Sequence, residues 1–177
     1  MSTAAFNVGE KVVYPNHGVG VIEQISTRTN GSLVERFYLL CIPANGLKVT
    51  IPFHNAEAVG LRRIVSNTEA EKILEFLSSG DGCESSPDWK IRQREHSDKM
   101  RTGSLMEIAI VLKGLLVLAV QKPLSVREKK VLESARFLLS SEMAMARQCG
   151  QEEVEDELGG ALAKCNLRWP EPEAVKV

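Results

Sequence analysis

Residues 11–25 read KVVYPNHGVGVIEQI, and this stretch decides the fold of the amino-terminal part. It contains two runs rich in β-branched side chains, 12–14 and 19–25, separated by Pro-Asn-His-Gly at 15–18. Val, Ile and Tyr fit the pleated surface of a sheet, whereas Pro, Asn and Gly favour tight turns. The pattern therefore predicts two short strands joined by a tight turn.

Further strands are predicted beyond this stretch. Asn30-Gly31 precedes the apolar run Phe37–Leu40, and an Asn-Gly pair in such a place is typical of a β-hairpin because both residues tolerate a positive φ. The run Leu47–Ile51 then alternates apolar and polar side chains and ends at Pro52, which cannot continue a central strand. We expect three to five strands that curl into a small open barrel.

Helical periodicity replaces the strand pattern after Gly60. Asn67 and Thr68 are candidate caps of a first helix, and Asp88 is placed to cap a second helix that begins at Trp89. Serine and glutamate with capping-box spacing, at 104–107 and 125–128, predict two more helix starts.

The ends of the later helices are also predicted. The two helices that begin with capping boxes are expected to reach Gln121 and Gln148, and a final acidic helix is expected over 151–164. The tail, 166–177, contains two prolines that exclude regular structure over most of its length, so we expect it to be extended or disordered.

The chain is thus divided into a β domain at 1–65, a helical domain at 66–165 and the tail at 166–177. This order of elements predicts the α+β fold class. Apolar residues make up 44% and charged residues 25% of the sequence, which is typical of a folded globular protein.

Composition also limits the partners and the compartment. A net charge of -1 provides no global field for nucleic acid, so any DNA contact must come from a local patch or from tethering. The amino terminus lacks a secretory pattern, and the most apolar run is interrupted by Lys113, so no membrane contact is expected. We expect a cytoplasmic protein that is monomeric when free.

Motifs for catalysis are missing from the sequence. It has no phosphate-binding glycine loop, no Gly-x-Ser-x-Gly elbow, no His-Glu-x-x-His pair, and no cysteine spacing that would build a zinc site. His17 and His54 are interpreted as turn or surface residues, and His96 as a solvated helix residue. We therefore predict that the protein is not an enzyme and needs no cofactor or metal.

One segment concentrates positive charge. Between Trp89 and Arg101, five basic residues and two acidic ones give a local charge of +3. Lys90 and Arg94 are neighbours at helical spacing, so they could follow a phosphate backbone while Trp89 stands at the helix start. The same pattern also fits a Trp89 that covers the helical core beside a solvated basic face, and the residues alone do not decide between the two.

A series of motifs runs along most of the chain. It begins with Phe6-x-Val8-Gly9-Glu10-x-Val12-Val13-Tyr14-Pro15 and His17-Gly18-Val19-Gly20-Val21. It continues with Asn55 to Arg62, Trp89 before a basic helix, Thr102-Gly103-Ser104, and Leu124-Ser125-x-x-Glu128-Lys129-x-x-Leu132-x-x-Ala135-Arg136. In content and order these motifs resemble the CarD/CdnL family of bacterial transcription regulators, and the resemblance covers the chain from Phe6 to Leu162.

The resemblance implies a Tudor-like, SH3-type barrel that binds the β subunit of RNA polymerase, as in transcription-repair coupling factors. On this barrel, the implied polymerase-binding positions are Arg28 and Thr50, and Lys48, on the same strand face two residues from Thr50, is predicted to join them. It also implies a helical domain that contacts promoter DNA at the upstream edge of the transcription bubble and stabilises the open complex.

The implied DNA-binding residues are Trp89, Lys90, Arg92 and Arg94. The family commonly has paired arginines shortly after the tryptophan, and here Ile91 occupies the first place. Thr50 likewise stands where a second polymerase-contacting arginine is common. An alternative stays open, in which the protein is a polymerase-binding adaptor whose helical domain docks another protein instead of DNA.

Overall fold

The computed structural model describes residues 5–80 and 86–170, without the side chain of Asn30. Within these ranges five strands come first and five helices follow, so the predicted α+β class is confirmed. None of the helices in this part of the chain has the length and apolarity needed to cross a bilayer.

A single antiparallel sheet forms the β domain, with strand order β4-β3-β2-β1-β5. The strands are β1 (Lys11–Tyr14), β2 (Gly18–Asn30), β3 (Leu33–Ile42), β4 (Leu47–Pro52) and β5 (Arg62–Arg63). A 3₁₀ helix at Phe53–Asn55 follows β4. Because β4 and β5 are the two ends of the described sheet and do not pair with each other, the sheet is open and not a closed barrel.

The long strand β2 joins the two halves of the sheet. It pairs with β1 through 18–21 and with β3 through 21–30, and the register shifts between Ile22 and Gln24. A bulge of this kind bends a strand, which lets one strand serve both halves. The core inside the bend contains Phe6, Val12, Ile22, Tyr38, Leu40, Ile42, Ile51, Ala56 and Leu61.

The hairpin between β2 and β3 exists as predicted, but its turn is shifted by one residue. Asn30 pairs with Leu33, so the two turn residues are Gly31 and Ser32 and not Asn30 and Gly31. Gly31 has φ = 63°, a value that glycine adopts without steric cost. The difference arises because one residue with a positive φ in the first turn position is sufficient for a two-residue hairpin loop.

The helices are α1 (Asn67–Ser78), α2 (Trp89–Thr102), α3 (Leu105–Gln121), α4 (Val126–Arg147) and α5 (Gln151–Ala163). Ser66, not Asn67 or Thr68, caps α1, because its hydroxyl and Glu69 form a complete capping box. The predicted capping box of α4, formed by Ser125 and Glu128, is confirmed.

The capping box predicted for α3 does not form. Ser104 precedes the helix, but its hydroxyl makes no capping hydrogen bond. The Glu107 carboxylate instead approaches the Lys99 ammonium of α2, with 3.9 Å between Oε2 and Nζ. The Ser104 amide, which would donate to Glu107 in a capping box, donates to the Thr102 hydroxyl at 3.3 Å.

The described part of the tail packs on the helical domain, although it has no helix or strand beyond the turn that ends at Asn166. Leu167 is buried, and the Arg136 guanidinium lies 4.5 Å from the Trp169 ring centroid. Residues 167–170 therefore pack on the helical core without forming a helix or strand. The rest of the predicted tail, 171–177, lies outside the described residues.

An ion pair with a buried carboxylate connects the β domain to the helical domain. Arg62 of β5 donates to both carboxylate oxygens of Glu142 on α4, at 2.6 and 2.8 Å, and to the carbonyl of Gly103 at 2.5 and 2.8 Å. The amide of Val65 donates to the same carboxylate at 3.0 Å. A planar guanidinium matches this arrangement of acceptors, so one side chain links β5, α4 and the end of α2.

Pro15 strengthens the same junction from the β1–β2 turn. Its ring lies against Gly60 and Gly103, where an added Cβ would come within 2.8 and 2.9 Å of the proline Cγ. Both glycines also have a positive φ, of 77° and 72°. The two domains therefore approach closely at positions that only glycine occupies without strain.

Candidate functional site

The first turn of α2 is exposed and carries the predicted tryptophan. The Asp88 carboxylate accepts a hydrogen bond from the Lys90 amide at 2.8 Å, which makes Trp89 the first residue of the helix, as predicted. Trp89 is 58% exposed and Ile91 is 51% exposed. The Nζ atom of Lys90 lies 5.9 Å from the indole centroid. The indole therefore faces solvent beside a cation and does not cover the helical core.

Arg92 points into the helical domain and is only 3% exposed, although a DNA contact was predicted for it. Its guanidinium donates to the Ser86 carbonyl at 2.8 Å and to Glu128 Oε1 at 3.1 and 3.3 Å. It could reach a phosphate only by leaving this buried pair. The structure therefore corrects the prediction, and Arg92 attaches α2 to α4.

Glu128 completes this attachment. It accepts hydrogen bonds from the Ser125 amide and hydroxyl at 2.8 and 2.7 Å while it pairs with Arg92. Burial alone would raise the pKa of Glu128, but the hydrogen bonds from Ser125 and Arg92 outweigh it and hold the pKa below its ordinary value. The carboxylate thus stays charged and holds the starts of two helices together.

His96 is buried next to this pair, so the prediction of a solvated histidine was wrong. Burial lowers the pKa of His96, and the nearby charges of Arg92 and Lys99 lower it further, against the opposing effects of Glu128 and Glu95. The imidazole is therefore held in its neutral form near neutral pH.

A groove of about 1100 Å³ lies between α2, the loop from α3 to α4, and the first turns of α4. Trp89 is part of its wall, and Asn16 of the β domain also contributes to the lining. Its exposed basic side chains are Arg101, Lys122, Arg127 and Lys130. Of the described residues that line it, Glu128 is the only acidic one, and Arg92 neutralises it. The lining is therefore positive, which favours a polyanion.

The predicted basic stripe along α2 is divided between two sides of the helix. Lys90 and Arg94 are exposed one turn apart, on a side that does not line the groove. Arg101 lines the groove, and its Nη2 atom lies 3.8 Å from Oδ1 of Asp98. Trp89 therefore shares the groove with one set of basic residues and contacts Lys90, which belongs to the other set.

Three basic residues of the groove, Lys122, Arg127 and Lys130, were not predicted as functional. The available signal is the segment 122–130, which has four basic residues and one acidic residue. The capping-box spacing already predicts a helix start in this segment, so its positive charge was not interpreted as a binding site. Only the packing of α4 beside α2 places these residues in the same groove as Trp89.

The sheet places all three predicted polymerase-binding residues on one face. Thr50 pairs with Leu39 of β3, and Arg28 pairs with Glu35 of the same strand. Lys48 is two residues from Thr50, and side chains alternate along a strand, so Lys48 shares the face. All three residues are exposed.

We call this the outer face and define it by Arg28, Phe37, Leu39, Lys48 and Thr50. Phe37 and Leu39 are half-buried at its centre. The Cζ atom of Arg28 lies 5.3 Å from the Phe37 ring centroid, a cation–π arrangement. Aromatic and arginine side chains at a partly apolar centre are typical of protein interfaces.

Lys48 is paired within the outer face. Its ammonium lies 2.8 Å from the carboxylate of Glu23, the residue at the β2 bulge. The hydrogen bond from Lys48 holds the pKa of Glu23 below its ordinary value and raises the pKa of Lys48. Glu23 therefore partly neutralises the positive charge of Lys48.

Two family models match the chain on either side of the junction. The CarD-like/TRCF RID domain matches residues 6–65, and the CarD C-terminal domain matches residues 72–159. Together they cover both structural domains in the order in which the family has them. The chain belongs to the CarD-like family.

A comparison with a single relative agrees with the family models. This CarD-like chain is 27% identical over 150 residues to the protein of Bacillus subtilis (strain 168) named "Putative transcription factor YdeB". The matched residues are 85% of this chain and 97% of that protein. The similarity therefore spans the β domain, the junction and the helical domain.

Membership of the CarD-like family fixes the general role of the β domain. A domain of the RID type interacts with RNA polymerase, so the chain is a transcription regulator that interacts with polymerase. Among the described residues of this CarD-like protein, no three His, Cys, Asp or Glu side chains are grouped so that they could hold a metal ion.

Proposed function

We propose that this protein binds the β subunit of RNA polymerase through its outer face, as a monomer in the bacterial cytoplasm. From there it places Trp89 at the upstream edge of the melted promoter and stabilises the open complex without catalysis. The observation that carries the proposal is the exposed indole of Trp89 at the wall of a groove lined with basic residues.

The polymerase half of the proposal rests on the outer face. Arg28, Lys48 and Thr50 surround the half-buried Phe37 and Leu39, which gives an apolar centre with a polar rim. The face includes β4, an end strand of the sheet whose free edge can accept another strand. Thr50 adds no charge, so Arg28 is the main source of positive charge in this contact.

The DNA half rests on Trp89 and the two sets of basic residues beside it. An unpaired base at the edge of a melted region can stack on an exposed indole, and stacking contributes about 1–3 kcal/mol per base. Lys90 and Arg94 would contact phosphates on one side of Trp89, and the groove cations Arg127 and Lys130 on the other. Duplex DNA offers no unpaired base, so the contact favours the open complex.

The junction supports the combination of the two halves. Arg62 and Glu142 hold the β domain against the helix that lines the groove, so a protein bound to polymerase carries Trp89 at a fixed position. Tethering raises the effective concentration of a DNA-binding group and compensates for a net charge of only -1.

The experiment compares Trp89→Ala with Ile91→Ala in the lifetime of open complexes. Both residues are exposed in the same helical turn, but only Trp89 lines the groove. Loss of one stacking contact should shorten the lifetime roughly tenfold, because 1.4 kcal/mol changes an equilibrium by that factor. Ile91→Ala should leave it unchanged, and both variants should still bind polymerase.

Equal lifetimes for Trp89→Ala and the unmodified protein at saturating concentration would contradict the stacking of a base on Trp89.

A second candidate function, an adaptor for another protein, is favoured by one observation. Trp89, Ile91 and Val126 are large exposed apolar residues at or near the groove, and Arg92 does not supply charge there. Crosslinking of position 89 to a protein in place of promoter DNA would support the adaptor.

A further inference from the structure

The hairpin of β2 and β3 extends beyond the rest of the sheet. β3 pairs with β2 as far as the turn, whereas β4 pairs with β3 only between Phe37 and Ile42. In the described part of the chain, residues 27–36 therefore form a two-stranded ribbon without a third strand. The described side chains of this ribbon are all exposed. Such a ribbon has little stability of its own and gains stability from a partner.

One side of the ribbon continues the outer face. Side chains alternate along β3, so Leu33 and Glu35 point to the same side as Phe37 and Leu39. The pairing of Arg28 with Glu35 and the contact of Arg28 with the Phe37 ring confirm that the face is continuous through this region. Leu33, 74% exposed, lies at the far end of the face.

The ribbon changes the dimensions of the face. At about 3.3 Å per residue, the part of β3 from Phe37 to Cys41 spans only ~13 Å, whereas the part from Leu33 to Cys41 spans ~26 Å. A standard protein interface covers about 800 Å² on each partner, which corresponds to roughly 28 Å across. The outer face approaches that length only when the ribbon is included.

Val34 provides an internal comparison. It follows Leu33 in the chain and is 67% exposed, but alternation places it on the opposite side of the ribbon. The two apolar side chains therefore differ mainly in the face that they occupy.

We propose that the ribbon 27–36 is part of the polymerase interface, with Leu33 as its apolar anchor at the end of the outer face. This inference rests on the proposed function, because it assigns Leu33 the same partner as Arg28. The β subunit of polymerase then contacts one side of the ribbon, and Val34 on the other side stays in solvent.

The experiment measures binding of the full chain to purified RNA polymerase for Leu33→Ala, Val34→Ala and Arg28→Ala. Loss of an anchor side chain weakens binding about fivefold or more, which we expect for Leu33→Ala. Val34→Ala should change the affinity less than twofold. Unfolding temperatures equal to that of the unmodified protein establish that the fold of the two ribbon variants is intact.

The outcomes separate this inference from the proposed function. Weaker binding for Arg28→Ala but not for Leu33→Ala overturns the ribbon contact and leaves the outer face as the polymerase site. Unchanged binding for both variants overturns the two together. An equal loss for Val34→Ala and Leu33→Ala overturns the assignment of the contact to one side. Weaker binding for Leu33→Ala and Arg28→Ala, with Val34→Ala unchanged, supports the inference.

Discussion

The outer face and helix α2 carry their positive charges in different ways. On the outer face, Arg28 and Lys48 both remain at the surface, where their partners are a ring and an exposed carboxylate. On α2, Lys90 and Arg94 are exposed, but Arg92 between them is buried and paired with Glu128. Arginine therefore stays at the surface in one region and holds the fold together in the other.

The difference follows from the two secondary structures. A strand in a sheet with one covered face has only two sides, so alternation determines which residues point outward. A helix has a continuous surface, and the side that packs depends on where neighbouring helices lie. Arg92 lies on the side that meets the start of α4, a contact between residues that are far apart in sequence.

The largest expected effect in this comparison comes from Arg92→Ala. The substitution removes hydrogen bonds to a charged carboxylate, which are worth about 1.5–3 kcal/mol, so the free energy of unfolding should fall by that amount. Arg94→Ala, on the exposed side of the same helix, should change it by no more than about 0.5 kcal/mol. Urea unfolding followed by circular dichroism measures both.

Open-complex lifetimes should give the reverse order for these two variants. Arg94→Ala should shorten the lifetime, because it removes a proposed phosphate contact, while folded Arg92→Ala should change it less. An Arg92→Ala variant as stable as the unmodified protein would show that the buried pair does not hold α2.

A smaller effect is expected from His96, and it depends on pH. Its folded-state pKa lies below the ordinary value of 6.5, so below that pH the unfolded chain binds a proton that the folded chain does not. The stabilisation that neutral His96 contributes is therefore fully present above pH 6.5. It is lost as the pH falls through the lowered pKa of the folded state. Unfolding measured at several pH values should show this decline.

Two substitutions test the assignment of the decline to His96. His96→Gln should remove it, whereas His54→Gln, at an exposed position, should leave it in place. A decline that persists in His96→Gln would mean that another group is responsible.

Much of the fold was predictable because its signals are local. The turn at 15–18, the cap at Asp88 and the capping box at Ser125 each lie within a few residues of the element they define. The missed details depend on neighbouring elements. The box at Ser104 is lost because its amide donates to the Thr102 hydroxyl at the end of α2. Residues 167–170 pack on the helical domain, where Trp169 meets Arg136 of α4.

The candidate site was predictable only in part, for the same reason. The place of Trp89 at a helix start follows from a local cap, whereas the roles of Trp89, Arg28 and Thr50 were implied by the resemblance to the CarD/CdnL family. The burial of Arg92 depends on where α4 packs. The location of the groove cations, such as Arg127, depends on the same packing. No pattern within one segment predicts that location.

The smallest expected effect on stability is that of Lys48→Ala on the outer face. Its ion pair with Glu23 is exposed, and exposed pairs contribute little to folding, so the unfolding temperature should not change. Charges at the rim of an interface act mainly on the rate of association. Lys48→Ala should therefore slow association with polymerase and reduce its salt dependence, while the dissociation rate stays the same. Stopped-flow measurements at two salt concentrations check this, and a faster dissociation would instead place Lys48 in the buried centre of the contact.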